Sequence, residues 1–176
     1  MTPEGQAAGL GLTPTCDAAR MIERTGDTED GLTVTHEPEG SLDICLLRVT
    51  ARANEFAGSS SAYFNDSAVL EFATRLAGFP LPKGEPVGIS GGAGDEEYVG
   101  IEASPAGHFG QVSVVVHLAD PWPSRVRNAR SDVRLEILTT YERMLQFSAD
   151  LARVVTGEIA EARLGHEQLR VAGRDS

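Results

Sequence analysis

Lysine is nearly absent from this chain: of its 15 basic residues only Lys83 is a lysine, a bias that with the abundant Ala, Gly and Val suggests a GC-rich bacterial source. Basic charge as a whole is short, 15 residues against 26 acidic ones, for a formal net charge of −11. A phosphate backbone is bound by releasing counterions to Lys and Arg, so this deficit argues against a nucleic-acid partner. Cysteine is scarce as well. Cys16 and Cys45 are too few for a disulfide framework and lack the CxxC or Cys/His spacing that holds zinc. No run approaches the roughly 18 apolar residues of a membrane helix. The opening Met1-Thr2-Pro3-Glu4-Gly5 lacks the basic stretch of a secretory leader. A cytoplasmic protein off the membrane is the expectation. No internal repeat or low-complexity block is visible either.

What is present suffices for a core. The chain has 176 residues, 41% hydrophobic and 23% charged, which fits one globular domain. Residues 1–30 show no sustained period and read as a weakly ordered arm, residues 31–165 as one domain, and residues 166–176 as a flexible tail. A short alternating strand is predicted at Leu32 to His36. A longer one runs from Leu42 to Ala53, turns near Asn54 and returns from Glu55 to Phe64. Asn65-Asp66-Ser67 supplies N-cap chemistry for a short helix ending at Gly78. After the proline-rich linker Phe79 to Pro86, strands are predicted at Val87 to Ser90, Glu97 to Ala103, Gln111 to Leu118 and Val133 to Thr139. In the third of these, Val112, Val114, Val116 and Leu118 point one way and Gln111, Ser113, Val115 and His117 the other, the pattern of a half-buried antiparallel strand. A long helix is predicted from Tyr141 to Leu164, with Gly165 as its stop. The fold class is α+β: one curved antiparallel sheet of about six or seven strands, with the short central helix and the long C-terminal helix packed on it.

Catalytic chemistry is not spelled out. Gly88-Ile89-Ser90-Gly91-Gly92-Ala93-Gly94 is rich in glycine but runs into Asp95-Glu96-Glu97 and a strand, so it reads as a hairpin turn and not as a phosphate loop. Those three carboxylates lack the spacing of a calcium loop and read first as a solvated charged turn, whose functional use would be as part of an acidic patch for a basic partner. His36, His108, His117 and His166 form no HxH or HExxH pair, and no GxSxG elbow occurs. No metal or cofactor is expected. Cys45 stands among Ile44, Leu46 and Leu47 and is expected to be a buried hydrophobe. Ser59-Ser60-Ser61 reads as a small-residue surface against which a helix packs closely. Trp122, between Pro121 and Pro123, reads first as packed over a core edge and second as a candidate interface anchor. Arg125, Arg127, Arg130 and Arg134 form the basic cluster of the sequence, suited first to ion pairing within the protein or across a homodimer and then to an anionic ligand.

The order of elements resembles a group of small bacterial proteins that includes the WapI-type immunity proteins of contact-dependent toxin systems. The resemblance rests on Glu55-Phe56-Ala57-Gly58, the helix Val69 to Leu76, the strand after Gly107-His108-Phe109-Gly110, and Val133 to Ile137 leading into the terminal helix. It covers roughly residues 42–163. It implies a non-enzymatic binding protein that neutralises a cognate toxin; independently, the residues themselves make Asp95, Glu96, Glu97 and Trp122 the partner-binding candidates. The acidic charge is compatible with a basic target. The rival expectations are a small-ligand binder or enzyme with a pocket on the sheet face, lined by His117 or Tyr98, and a homodimeric accessory protein.

Overall fold

The computed structural model describes residues 30–37, 43–92, 98–107, 110–120 and 131–165. The chain forms β1 (Gly31–Glu37), β2 (Ile44–Ala53), β3 (Phe56–Asn65), α1 (Asp66–Leu76), β4 (Val87–Gly91), β5 (Tyr98–Ala106), β6 (Gln111–Ala119), β7 (Asp132–Thr140), α2 (Tyr141–Val155) and β8 (Glu161–Gly165). The class is α+β, but the strands form two antiparallel sheets of four and not one curved sheet. Their orders are β3-β2-β1-β8 and β4-β5-β6-β7.

The two sheets are built alike. Each is a three-stranded meander, β1-β2-β3 or β5-β6-β7, whose last strand passes directly into a helix. Each helix is followed by a five-residue strand that joins the other half's sheet. β4, after α1, pairs with β5, and β8, after α2, pairs with β1. Each half of the chain therefore supplies the final strand of the other's sheet.

Period-two alternation decides which faces meet. Cys45, Leu47, Val49, Ala51 and Ala53 of β2 are buried, as are Val112, Val114, Val116 and Leu118 of β6. These inner faces share one core with Leu32, Val34, Ile137, Ala162 and Leu164. The helices pack on each other, and each touches both sheets: α1 meets β3 and β4, and α2 meets β8 and β1 as well as β6 and β7. Phe72 and Leu76 of α1 and Met144, Phe147 and Leu151 of α2 enter the core.

Two further expectations are corrected. The second helix ends at Val155, with Thr156 as its C-cap and Gly157 at φ 75°, a left-handed conformation that suits glycine and stops the helix. Residues Glu161–Gly165 then form β8, burying Ala162 and Leu164. The serine run does not seat a helix. Ser60 points inward and donates to the Ala119 carbonyl at 2.8 Å across the inter-sheet contact, while Ser59 lies on the outer face beside Thr50. The β2–β3 turn falls where expected, with Asn54 at φ 56°.

Phe147→Ala, which empties one of the largest fully buried side chains, is expected to lower the unfolding free energy by about 3–5 kcal/mol in urea titration. Leu164→Ala should cost about 2–5 kcal/mol, and because β8 is shared between the halves it should shift one common transition and not produce a second.

Candidate functional site

The inner faces are filled, and among the described residues the exposed strand side chains lie on the outer faces, of which the more acidic belongs to the second sheet. Register fixes its rows. Gly88, Glu102, Val115 and Glu136 stand side by side, and the next row holds Ser90, Gly100, His117 and Arg134. Asp132 opens β7, and Asp120 follows β6, joined by its backbone N–H to the Ser131 carbonyl at 3.0 Å.

The two glutamates are held upright from different directions. Ser113 donates its hydroxyl to Glu136 Oε1 at 2.5 Å, and Arg134 reaches diagonally to Glu102 Oε2 at 3.6 Å. The Arg134–Glu102 pair is largely exposed, so it orients the side chains and contributes little stability. At the centre, Tyr98 stacks at a tilt on His117, with ring centroids 4.9 Å apart. Gly100 makes this possible, because a β-carbon there would stand 3.0 Å from the Tyr98 hydroxyl and 3.1 Å from its ring. The glycine leaves room for the tyrosine to lie across the strand, as aromatic residues do over sheet glycines.

This arrangement does not bring a serine to the histidine. Ser113 precedes His117 by four residues on the same strand, a separation of about 13 Å at roughly 3.3 Å per residue. Ser113 instead spends its proton on Glu136. Among the described residues no three His, Cys, Asp or Glu side chains are grouped to hold a metal ion. Also among them, no helix is long and apolar enough to cross a membrane.

Of the residues singled out in the sequence, Arg134 lies on this face, paired to Glu102. Asp95, Glu96, Glu97, Trp122, Arg125, Arg127 and Arg130 lie outside the described residues, as does Cys16. In sequence, Asp95-Glu96-Glu97 connects β4 to β5. Glu102, Asp132 and Glu136 were not singled out. Their signal was available in the alternation of β5 and β7, which places charged residues opposite the buried Ile101, Leu135 and Ile137.

Cys45 is buried and free. Burial chiefly, then the hydrogen bond it gives the Asp66 carboxyl group and the charge of that group, push its thiol up to about 12. It is a core residue and no nucleophile. Asp66 Oδ1 is itself buried without a partner.

Comparison with family models, curated proteins and solved structures finds no match to this chain.

The raised thiol has a pH consequence. Folded and unfolded states bind the same proton below about pH 9; between about 9 and 12 only the folded state keeps it, so stability falls across that window by at most about 1.4 kcal/mol per pH unit. In a Cys16→Ser background, Cys45 should resist a thiol reagent at pH 8 until denaturant is added. Cys45→Ala should show a shallower alkaline loss of stability, measured by urea titration at stepped pH.

Proposed function

We propose that this protein is a non-enzymatic protein-binding module that presents the outer face of the β4–β7 sheet to a basic partner, in the manner the resemblance to toxin-immunity proteins implies. The observation that carries this reading is the set of Glu102 and Glu136 in one row, positioned by Arg134 and Ser113, with Asp132 and Asp120 beyond. Positioned carboxylates lose less side-chain freedom on binding than free ones. Tyr98 and His117 give the same face a packed aromatic centre, the kind of amphipathic contact that anchors interfaces. The net charge of −11 adds a long-range field that speeds encounter with a basic surface.

A toxin domain with a basic groove is the partner of this chemistry. The test is a tagged capture from bacterial lysate at low and at moderate salt, run in parallel with wild type and with Glu102→Lys/Glu136→Lys. One basic protein, held by wild type, released as salt rises and held at least about tenfold more weakly by the double variant, supports the reading. Equal recovery on both forms, or no protein recovered on wild type, overturns it.

A further inference from the structure

The outer face of the first sheet carries a different chemistry. Its rows read Ala57, Arg52, Gly31, Gly165 and, next to them, Ser59, Thr50, Thr33, Arg163. A cavity of about 480 Å³ opens on this face, lined by Asp30, Thr33, Thr50, Arg52 and Arg163 among others. Its floor is low because two glycines meet there. A β-carbon on Gly31 would run into the Leu164 carbonyl oxygen at 2.4 Å, so the close approach of β1 and β8 demands glycine and leaves the trough without side chains beside Arg52.

Two arginines line this trough, from elements far apart in the chain. Arg52 stands on β2 and Arg163 on β8, and Arg143 of α2 brings Nη1 to 3.4 Å from the point where a Gly165 β-carbon would be. The neighbouring Arg48 is bound by Glu37 at 2.8 Å, and Arg163 by Glu161 at 2.5 Å. Arg52 is half-buried yet has no ion-pair or hydrogen-bond partner among the described residues. The carboxylate in the lining, Asp30, accepts a hydrogen bond from the Asn54 backbone N–H at 3.0 Å.

We propose that this trough is a binding site for a phosphate group carried by a small organic molecule. A guanidinium pairs with phosphate through two parallel hydrogen bonds. Guanidinium groups arriving from two strands, with threonine hydroxyls between them, suit a tetrahedral dianion, which presents oxygens in several directions, better than a planar carboxylate. Thr33 and Thr50 add hydroxyl donors on the same floor. The volume lies within the range of small-molecule pockets and exceeds what one inorganic phosphate needs. This site is separate from the acidic face and does not depend on that reading.

The probes are inorganic phosphate and pyrophosphate, titrated into the full chain at constant ionic strength and followed by amide NMR shifts and calorimetry. Pyrophosphate is expected to bind with shifts centred on Gly31, Thr33, Thr50 and Gly165. Arg52→Gln and Arg163→Gln should each weaken it by about tenfold or more, as loss of a charge-assisted hydrogen bond implies. Arg48→Gln, on the same face but outside the trough, should bind like wild type. The two trough variants are independent, so binding remains testable if one fails to fold. Absence of shifts up to about 10 mM pyrophosphate, shifts unaffected by both trough variants, or tighter binding of citrate than of pyrophosphate would each overturn the assignment.

Discussion

The exchange of the two short strands governs this architecture. β8 reaches the first sheet only after the whole second meander and α2 have been laid down, and β4 leaves the first half before the second meander begins. Neither meander has its fourth strand until the other half is in place. The helices that carry the chain across also fill the core between the sheets, so sheet closure and core packing are the same event. The cost is chain entropy. Pairing Gly31 with Gly165 closes a loop spanning nearly the whole described part of the chain, and contacts of that separation slow folding more than they lower stability.

The inner faces are committed to this core, and among the described residues the two outer faces differ. The second sheet presents Glu102, Glu136 and Asp132 against Arg134, whereas the first presents Arg48, Arg52 and Arg163 against Glu37 and Glu161. The two surfaces act over different distances. An acidic face on a chain of net charge −11 attracts cationic surfaces through a field that salt screens over about 8–10 Å. An anion reaching the arginine trough must do so against that field, and short hydrogen bonds from guanidinium groups then decide whether it stays. On the two proposed readings, salt weakens partner capture on one face more than ligand retention on the other.

The local features were legible in the sequence and the long-range ones were not. Alternation in Gln111 to Leu118 gave the inner and outer faces of β6, and Asn54 marked the hairpin. The division into two sheets depends on which strands pair, and no local period encodes that. The last strand was obscured by composition: Glu161, Ala162, Arg163 and Leu164 are all good helix formers, so their run looks like a continuation of α2. Thr156-Gly157 carried the contrary signal, and the apolar stripe of the helix outweighed it. Arg52 and Arg163 stand more than a hundred positions apart, and only the pairing of β1 with both β2 and β8 brings them to one trough.

The two halves repeat the same plan but secure it unequally, and the difference lies where each meander turns into its helix. At the second junction Thr140 caps α2, its hydroxyl accepting from the Arg143 N–H at 3.3 Å, and Thr139 donates to the Gly165 carbonyl at 3.3 Å, tying the helix start to β8. At the first junction Asn65 occupies the N-cap position without a side-chain cap bond. The work passes to Asp66, whose N–H reaches the Asp43 carbonyl at 3.2 Å and whose carboxyl group meets Cys45 inside the sheet. That solution leaves Asp66 Oδ1 buried and unpartnered, a desolvation cost of about 1–3 kcal/mol that the threonine junction avoids. An acid in the first turn recovers part of this through the helix dipole. The first junction is thus the less secure of the two, and α1, shorter than α2 and begun without a side-chain cap, is the helix from which local opening should start.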